Sequence, residues 1–178
     1  MIYYFGTFNP IHIGHIKIAN EISQAFKQEV VFIPAYDSPW KKDLNNFKHR
    51  CKMIKLSNQI CLDIEKKLPT PSYTYNTVKY LQEFGRLRGD GKLQMIIGMD
   101  AFNNIEKWHK WEYLRQNCFF IVIPRKENID IQKKIEDGFN FCIYAFEDLP
   151  YSSTDVRNGN LSIVTDKVRE YIIENNLY

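Results

Sequence analysis

The stretch GTFNPIHIGH, residues Gly6–His15, follows a short apolar run, Met1–Phe5, and precedes an amphipathic pattern that begins near Ile16. This order of residue types predicts a strand, a tight turn and the start of a helix. Glycine at both ends of the turn and a proline within it are typical of a loop that approaches a ligand closely. The stretch therefore predicts a connection from a strand to a helix that also carries a binding site.

The chemistry of that site follows from its glycines and histidines. Gly6 lets the backbone turn sharply, Pro10 fixes the loop, and Gly14 removes a side chain where the helix begins. The free N–H groups and the positive dipole end of such a helix favour anions. His12 and His15 lie three positions apart, so on a helical turn they share a face and can both donate to phosphate oxygens. The first hypothesis is a phosphate-binding site.

Two other interpretations of these histidines compete with that hypothesis. Histidines at helical spacing are more often surface or core residues than ligand-binding ones, but glycines and a proline directly after a first strand favour function. A zinc site is the second alternative, and no Cys or carboxylate lies at ligand spacing nearby. We predict no metal-ligating set in the chain.

Length and composition limit the classes of protein that remain possible. A chain of 178 residues is predicted to form one domain, residues 1–178, with a sizeable core. Its hydrophobic content of 44% and charged content of 25% are those of an ordinary globular protein. The formal net charge of +3 suits phosphorylated substrates but falls short of a nucleic-acid signature, so no nucleic-acid partner is expected.

Cysteine usage and hydropathy bear on location. The four cysteines are scattered among apolar neighbours without a Cys-x-x-Cys motif, which predicts reduced core thiols. No signal peptide opens the chain and no apolar run reaches transmembrane length. We therefore expect a cytoplasmic protein with no membrane partner. The sequence does not decide between a monomer and a homo-oligomer.

Hydrophobic periodicity predicts the fold. Helical spacing over Ile16–Phe26 is followed by a continuous apolar run, Val30–Ile33, and strand, helix, strand in this order implies a right-handed parallel crossover. Further strands are predicted at Ile60–Ile64, Leu93–Ile97, Cys118–Ile123 and Phe141–Phe146, and further helices at Phe47–Gln59, Asn128–Glu136 and Val164–Asn175. Together they predict one doubly wound α/β domain, Rossmann-like, with a mainly parallel sheet of about five or six strands.

Polar residues follow several of these strands. Lys41, in the loop after the second strand, lies where α/β sheets place their ligands, although most loop lysines are simply solvated. Ser72 or Thr74 is a good N-cap for the helix that carries Thr77, a role that needs no ligand. Arg50, in the second predicted helix, has two alternative interpretations: it forms part of a motif with Met53, or it is a solvated helix charge.

Two later segments carry the same kind of signal. Gly98-Met99-Asp100, at a strand end, can present backbone and a carboxylate to a ribose, although alone this pattern is weak. Ser153 and Thr154 stand at a predicted helix start, and Arg157 follows about one turn later, where it can contact phosphate.

These segments together resemble a known family. The pattern Gly6-Thr7-Phe8-x-Pro10-x-His12-x-Gly14-His15 resembles the signature of the nucleotidylyltransferase superfamily, whose (H/T)xGH motif grips the phosphates of ATP. Within it, the chain is most similar to bacterial nicotinate-nucleotide adenylyltransferases. Nearly the whole chain is covered, in family order, by further matches at Ser72-Tyr73-Thr74-x-x-Thr77, at Gly98-x-Asp100 followed by Trp108-x-x-Trp111, and at Ser152-Ser153-Thr154-x-Val156-Arg157. Lys41 matches the lysine of a Pro-Pro-His-Lys run, from which Ser38 and Trp40 depart.

The resemblance implies an activity and a set of site residues. The reaction is adenylyl transfer from ATP to nicotinate mononucleotide, giving nicotinate adenine dinucleotide and pyrophosphate, with Mg²⁺ helping to neutralise the leaving group. The implied catalytic residues are His12, His15, Lys41 and Arg157. The implied ATP-binding residues are Gly6, Thr7, Phe8, Gly14, Gly98, Asp100, Ser153 and Thr154. The implied mononucleotide-binding residues are Ser72, Tyr73, Thr74, Thr77 and Trp108.

Other functions share parts of this pattern. An adenylyltransferase for pantetheine phosphate would have the His-x-Gly-His motif without the Ser72–Thr77 and Trp108 segments, and one for nicotinamide mononucleotide differs only in the acceptor. A fragment of a class I tRNA synthetase would share the motif too, but the chain has no Lys-Met-Ser-Lys-Ser loop. A non-catalytic nucleotide-binding module remains the alternative from outside the enzymes.

Overall fold

A computed structural model of the protein describes residues 1–39, 46–84, 87–124, 130–146 and 150–178. The strands are β1 (Ile2–Gly6), β2 (Val30–Pro34), β3 (Ile60–Cys61), β4 (Leu93–Gly98), β5 (Cys118–Ile123) and β6 (Phe141–Ile143). The α-helices are α1 (Ile13–Phe26), α2 (Phe47–Leu56), α3 (Thr74–Phe84), α4 (Met99–Asn103), α5 (Trp111–Asn117), α6 (Ile131–Glu136), α7 (Ser153–Arg157) and α8 (Asp166–Glu174). Short 3₁₀ helices span Ile64–Lys67, Ile105–Lys107 and Leu161–Ile163.

The six strands form one sheet in the order β3-β2-β1-β4-β5-β6, and every neighbouring pair is parallel. This confirms the predicted doubly wound α/β fold and its strand number. The chain winds outward in one direction from β1 to β3 and in the other from β4 to β6. The order therefore reverses between β1 and β4, where a crevice opens at the carboxyl ends of the strands.

Each face of the sheet packs against its own apolar layer. Along β1, Tyr4 joins the layer that contains Ile22 of α1 and Val168 of α8, whereas Tyr3 joins the opposite layer with Leu81 of α3 and Leu114 of α5. Alternate residues of one strand are thus buried on both faces, which explains the uninterrupted apolar runs of the central strands.

Helix α1 begins at Ile13, three residues before the predicted start. His12 is its N-cap, and the ring Nδ1 accepts the N–H of Gly14 at 3.1 Å. Histidine is not among the residues that usually cap helices, so the sequence pattern placed the start at the first clear apolar repeat.

The other differences are at element ends. The predicted strand Ile60–Ile64 is only Ile60–Cys61, because the edge strand β3 pairs with β2 at two positions before the 3₁₀ helix begins. Helix α2 ends at Leu56 and is followed by Asn58 in the left-handed conformation, with a φ of 56°. The last predicted strand ends at Ile143. Helix α6 spans Ile131–Glu136 after the Asp130 N-cap, and the first two residues of its predicted range, 128 and 129, lie outside the described residues. The predicted helix over 164–175 is shorter by two residues at its start and one at its end.

All four cysteines are free thiols, as predicted. Cys51 and Cys118 are buried, whereas Cys61 and Cys142 are only half-buried. No helix in the described ranges has the length and apolar character needed to cross a membrane.

Candidate active site

The two histidines cap the N-terminus of α1 with their own rings. His12 Nδ1 accepts the N–H of Gly14 at 3.1 Å, and His15 Nδ1 accepts the N–H of His12 at 3.3 Å. A backbone N–H can only donate, so each Nδ1 must be unprotonated and the ring proton must be on Nε2. Both rings are therefore fixed in the tautomer that offers Nε2–H as a donor.

Aromatic packing fixes the same rings in space. The ring centroids of His12 and His15 are 3.8 Å apart with an interplanar angle of 33°. Phe8 meets His15 edge-on at 5.1 Å, and Tyr4 lies 6.0 Å from it. His12 is only 4% exposed, so its donor group is held rigidly beside the helix end.

The two glycines of the loop serve packing more than turning. The left-handed residue of the loop is Phe8, with a φ of 48°. A Cβ on Gly6 would lie 2.7 Å from Phe8 Cζ, and a Cβ on Gly14 would lie 2.9 Å from His12 Cε1. The expectation that Gly6 supplies the sharp turn is therefore wrong. Both glycines are needed because aromatic rings occupy the space of their missing side chains.

Helix α7 brings the predicted phosphate-binding residues of the C-terminal region to this loop. The Ser153 hydroxyl donates to the carbonyl oxygen of Pro10 at 2.8 Å. Arg157 Nη1 donates to the carbonyl oxygen of Asn9 at 2.7 Å, and its Nη2 donates to Thr154 Oγ1 at 2.8 Å. Two of the five guanidinium N–H groups are thereby used to orient Arg157 beside His12 and His15.

The start of α7 is itself capped. Ser152 and Asp155 form a capping box, and the hydrogen bonds from the Ser152 hydroxyl and N–H lower the pKa of the Asp155 carboxyl. Asn9, whose carbonyl receives Arg157, also accepts a hydrogen bond from the Tyr178 hydroxyl at 2.8 Å. The loop is thus held both by α7 and by Tyr178, four residues after the end of α8.

The Gly98–Asp100 segment stands across the crevice from this loop. Gly98 ends β4 and is the N-cap of α4. Asp100 folds back over it, since a Cβ on Gly98 would lie 2.6 Å from Asp100 Oδ1. Lys41, the remaining predicted catalytic residue, lies outside the described residues.

These elements enclose a polar cavity of about 660 Å³ at the switch point. We call it the phosphate cavity. Ten of the predicted catalytic and ATP-binding residues line it: Gly6, Thr7, Phe8, His12, His15, Gly98, Asp100, Ser153, Thr154 and Arg157. Gly14 is buried against the His12 ring. The structure thus brings together residues from three distant parts of the sequence.

A second cavity of about 240 Å³ adjoins the first. We call it the acceptor cavity. Four of the five predicted mononucleotide-binding residues line it: Ser72, Tyr73, Thr74 and Trp108. The two cavities share the ends of β1 and β4 through the residues Phe5, Gly6, Thr7 and Gly98. Ligands bound in the two cavities would therefore meet at these strand ends.

The segment before α3 is fixed by paired hydrogen bonds. Ser72 N–H donates to the Asp37 carbonyl at 2.7 Å, and Ser72 Oγ accepts the Asp37 N–H at 2.9 Å. Tyr73 N–H donates to the Pro71 carbonyl at 2.8 Å. Among the residues that the structure describes, no acceptor takes the N–H of Thr74 or Tyr75, as is usual in the first turn of a helix. Thr74 lines the acceptor cavity, so the start of α3 offers N–H donors beside it.

Thr77, the fifth predicted residue, is not brought to the acceptor cavity. Its side chain is 1% exposed, and Oγ1 donates to Glu65 Oε1 at 2.8 Å. It lies one turn into α3, on the buried side of the helix with Val78 and Leu81. The sequence match could not distinguish a residue that lines a cavity from one that supports the lining.

The structure adds Glu65 and His109, which the sequence analysis missed. Both line the acceptor cavity, and the His109 ring stacks on Tyr73 with centroids 4.4 Å apart. Glu65 is 4% exposed, and burial raises the pKa of its carboxyl. Its place in the acid–base run Asp63–Lys67 is typical of a solvated segment, so the sequence offers no signal for its burial.

Arg50 is a third residue whose role the sequence analysis missed, and its interpretation as a solvated charge is wrong. It is 1% exposed and donates through Nη1 to the carbonyl oxygen of Thr7 at 2.7 Å. Burial lowers the pKa of its guanidinium. A signal did exist, because Arg50 lies three residues after Phe47 and four before Ile54, on the apolar face of α2.

Comparisons with known proteins agree with this architecture. Residues 3–159 match the cytidylyltransferase-like family. A curated protein of Staphylococcus epidermidis, named probable nicotinate-nucleotide adenylyltransferase, is 33% identical, and the match covers 100% of this chain and 96% of the relative.

Two solved structures have the same fold. The Plasmodium falciparum nicotinic acid mononucleotide adenylyltransferase complexed with NaAD superposes with a TM-score of 0.76 at 24% identity, covering 99% of this chain and 96% of that one. The same enzyme complexed with APC gives a TM-score of 0.74 at 23% identity, with the same coverage. The fold, the family match and the full-length relative together show that the chain belongs to the cytidylyltransferase-like family and, within it, to the nicotinate-nucleotide adenylyltransferases.

Proposed function

We propose that the protein transfers the adenylyl group of ATP to nicotinate mononucleotide, giving nicotinate adenine dinucleotide and pyrophosphate, a step of NAD biosynthesis. The observation that carries the proposal is the pair of adjoining cavities that share the ends of β1 and β4. One cavity offers donors suited to a triphosphate, and the other offers an aromatic wall and helix N–H groups suited to a pyridine carboxylate. The relative from Staphylococcus epidermidis bears the name of this activity.

The phosphate cavity takes ATP. His12 and His15 donate through Nε2–H to phosphate oxygens, and Arg157 supplies a cation whose direction is fixed by Asn9 and Thr154. Because these donors are held in place before the substrate arrives, they stabilise charge in the transition state without reorganising. Lys41 is proposed as a further cation toward the same phosphates.

The acceptor cavity takes nicotinate mononucleotide. Trp108 forms part of its wall and stacks on the pyridinium, while the Thr74 and Tyr75 N–H groups at the start of α3 donate to the carboxylate. The phosphate of the mononucleotide then points toward the strand ends that the two cavities share. It reaches the α-phosphorus of ATP there.

The chemical step needs no general base. A phosphate monoester has its second pKa near 6, so its oxygens are largely ionised at pH 7. One of these oxygens attacks the α-phosphorus in line, the new P–O bond forms, and the bond to the β-phosphate breaks to release pyrophosphate. Positioning and charge stabilisation carry the catalysis.

Mg²⁺ fits this site as part of the nucleotide substrate. Among the described residues, no group of three His, Cys, Asp or Glu side chains could hold a metal by itself. Asp100 is the carboxylate that lines the phosphate cavity, and Mg²⁺ is commonly bound by one carboxylate together with substrate phosphates and water. There it would neutralise charge on the leaving pyrophosphate.

The proposal is tested by pyrophosphate release from purified protein with ATP and each candidate acceptor in turn. We expect release with nicotinate mononucleotide and little with pantetheine phosphate, because the acceptor cavity carries an aromatic wall and a helix N-terminus. Preferential release with pantetheine phosphate would overturn the assignment of the acceptor. The scattered free cysteines suit a reducing compartment, so we place the reaction in the cytoplasm.

A further inference from the structure

A buried carboxylate lies at the acceptor cavity without a part in the proposed chemistry. Glu65 belongs to the 3₁₀ helix Ile64–Lys67, is 4% exposed and lines the cavity wall. A carboxylate taken out of water is costly unless hydrogen bonds and an opposite charge compensate for it. The contacts of Glu65 therefore indicate what it does.

Glu65 accepts hydrogen bonds from two separate segments. Oε2 accepts the N–H of Tyr36, which follows β2, at 3.1 Å, and Oε1 accepts the hydroxyl of Thr77 in α3 at 2.8 Å. The nearby hydroxyl of Ser72, which precedes α3, lowers the pKa of the carboxyl. One side chain thus connects the loop after β2 with the first turn of α3.

Arg50 of helix α2 places an opposite charge near Glu65. Burial has the largest effect on the Glu65 carboxyl and raises its pKa, while the hydrogen bonds and, less strongly, Arg50 lower it. Arg50 is itself buried and donates to the carbonyl oxygen of Thr7, which lines both cavities. Glu65 thus lines the acceptor cavity itself, and Arg50 supports a residue that both cavities share.

We propose that Glu65 is a positioning residue for the acceptor. Its carboxylate holds the Ser72–Thr74 segment against the loop after β2, so that the first N–H groups of α3 face the mononucleotide. This inference rests on the proposed function, since it concerns the binding of the acceptor named there. Thr77, which lies outside the cavity lining, contributes through Glu65.

Three variants test this role by the KM for each substrate. Thr77→Val removes one donor to Glu65 with little change of shape, and we expect the KM for nicotinate mononucleotide to rise about threefold to tenfold, the effect of one hydrogen bond. Glu65→Ala removes both hydrogen bonds and should raise this KM by about tenfold or more. Glu65→Gln should lie closer to wild type, because its amide oxygen can accept from Tyr36 and its NH₂ can donate to the Thr77 hydroxyl.

The KM for ATP separates positioning from a general loss of structure. It should stay within about twofold of wild type in all three variants. Val168→Ala is the matched control, since it weakens the core on the opposite face of the sheet and should leave both KM values unchanged. If Glu65→Ala does not fold, the two KM values of Thr77→Val test the positioning role on their own.

Two outcomes overturn the inference. An unchanged mononucleotide KM in Thr77→Val, or an equal rise in both KM values, would remove the positioning role while leaving the proposed function intact. A wild-type protein that releases no pyrophosphate with nicotinate mononucleotide would remove both. The wild-type assay and the variant KM ratios therefore distinguish the two failures.

Discussion

The rings of His12 and His15 stack with centroids 3.8 Å apart, and each ring uses Nδ1 to accept a backbone N–H at the start of α1. The two side chains therefore form part of the N-terminal cap of α1. His12 is both an N-cap and a proposed donor to phosphate, and these two roles make different demands on the side chain.

That difference gives the first prediction. His15→Ala should lower kcat by about 10²–10³, because it removes a preorganised donor to the transition state. His12→Asn should lower kcat as well, yet keep its stability, since the Asn oxygen can still accept the Gly14 N–H as an N-cap. His12→Ala should also lose about 1 kcal/mol of unfolding free energy. Steady-state kinetics and urea unfolding measure both effects, and wild-type turnover in folded His15→Ala would refute the role.

The second prediction concerns the cations. Arg157→Ala should raise the KM for ATP by about tenfold or more and that for the mononucleotide far less, because a charge-assisted hydrogen bond to phosphate is lost. Lys41→Ala is predicted to act in the same way. Arg169→Ala is the control, as Arg169 pairs with Asp166 in the exposed part of α8. Equal effects on both substrates would instead indicate a general loss of structure.

The third prediction separates affinity from selectivity in the acceptor. Trp108 can gain about 0.5–2 kcal/mol by stacking on the pyridinium, but the nicotinate and nicotinamide mononucleotides both carry this cationic ring. The carboxylate alone matches the Thr74 and Tyr75 N–H groups and the dipole of α3, which adds about 0.3–1 kcal/mol. A carboxamide would leave a buried polar group unpaired, at a cost of roughly 1–3 kcal/mol.

We therefore expect kcat/KM to favour the acid by roughly 10- to 10³-fold. Trp108→Ala should weaken both acceptors alike and leave their ratio nearly unchanged. Kinetics with both acceptors measure this ratio in the wild type and the variant. Comparable wild-type values would contradict the selectivity, and a ratio that collapses in Trp108→Ala would contradict this division of roles.

The fourth prediction is a pH dependence of stability. Burial raises the pKa of Glu65, so between the ordinary and the raised value the folded protein holds a proton that the unfolded chain has released. Stability from this group is therefore present at low pH and is lost as the pH rises through the raised pKa. In Glu65→Gln the titrating carboxyl is absent, so the variant does not lose this part of its stability as the pH rises.

Urea unfolding of both proteins between about pH 4 and pH 8 covers the range in which a raised glutamate titrates. The stability of wild type minus that of Glu65→Gln should shrink as the pH rises. A difference that grows instead would mean that Arg50 and the hydrogen bonds outweigh burial and lower the pKa.

The fold could be predicted because its signals are local. Apolar runs marked β1, β2, β4 and β5, and parallel crossovers then restrict the sheet to few arrangements. The start of α1 was misplaced because His12 caps it with a ring nitrogen, which no propensity scale anticipates. The end of β3 was misplaced because an edge strand stops where its neighbour stops pairing, a tertiary effect.

The site could be predicted where a sequence motif contains the residues that line it. Ten of the twelve residues predicted for catalysis and ATP binding line the phosphate cavity. Glu65 gave no such signal, because it stands in the acid–base run Asp63–Lys67, which is typical of a solvated segment, although the structure buries it. Arg50 gave only one signal, its position on the apolar face of α2.

The central claim is that an oxygen of the nicotinate mononucleotide phosphate becomes bonded to the α-phosphorus of ATP while pyrophosphate leaves. It is tested most directly with mononucleotide whose phosphate oxygens carry ¹⁸O, followed by mass analysis of both products. The account predicts nicotinate adenine dinucleotide that retains all of the label, together with unlabelled pyrophosphate. The absence of the dinucleotide, or label in the pyrophosphate, would contradict it.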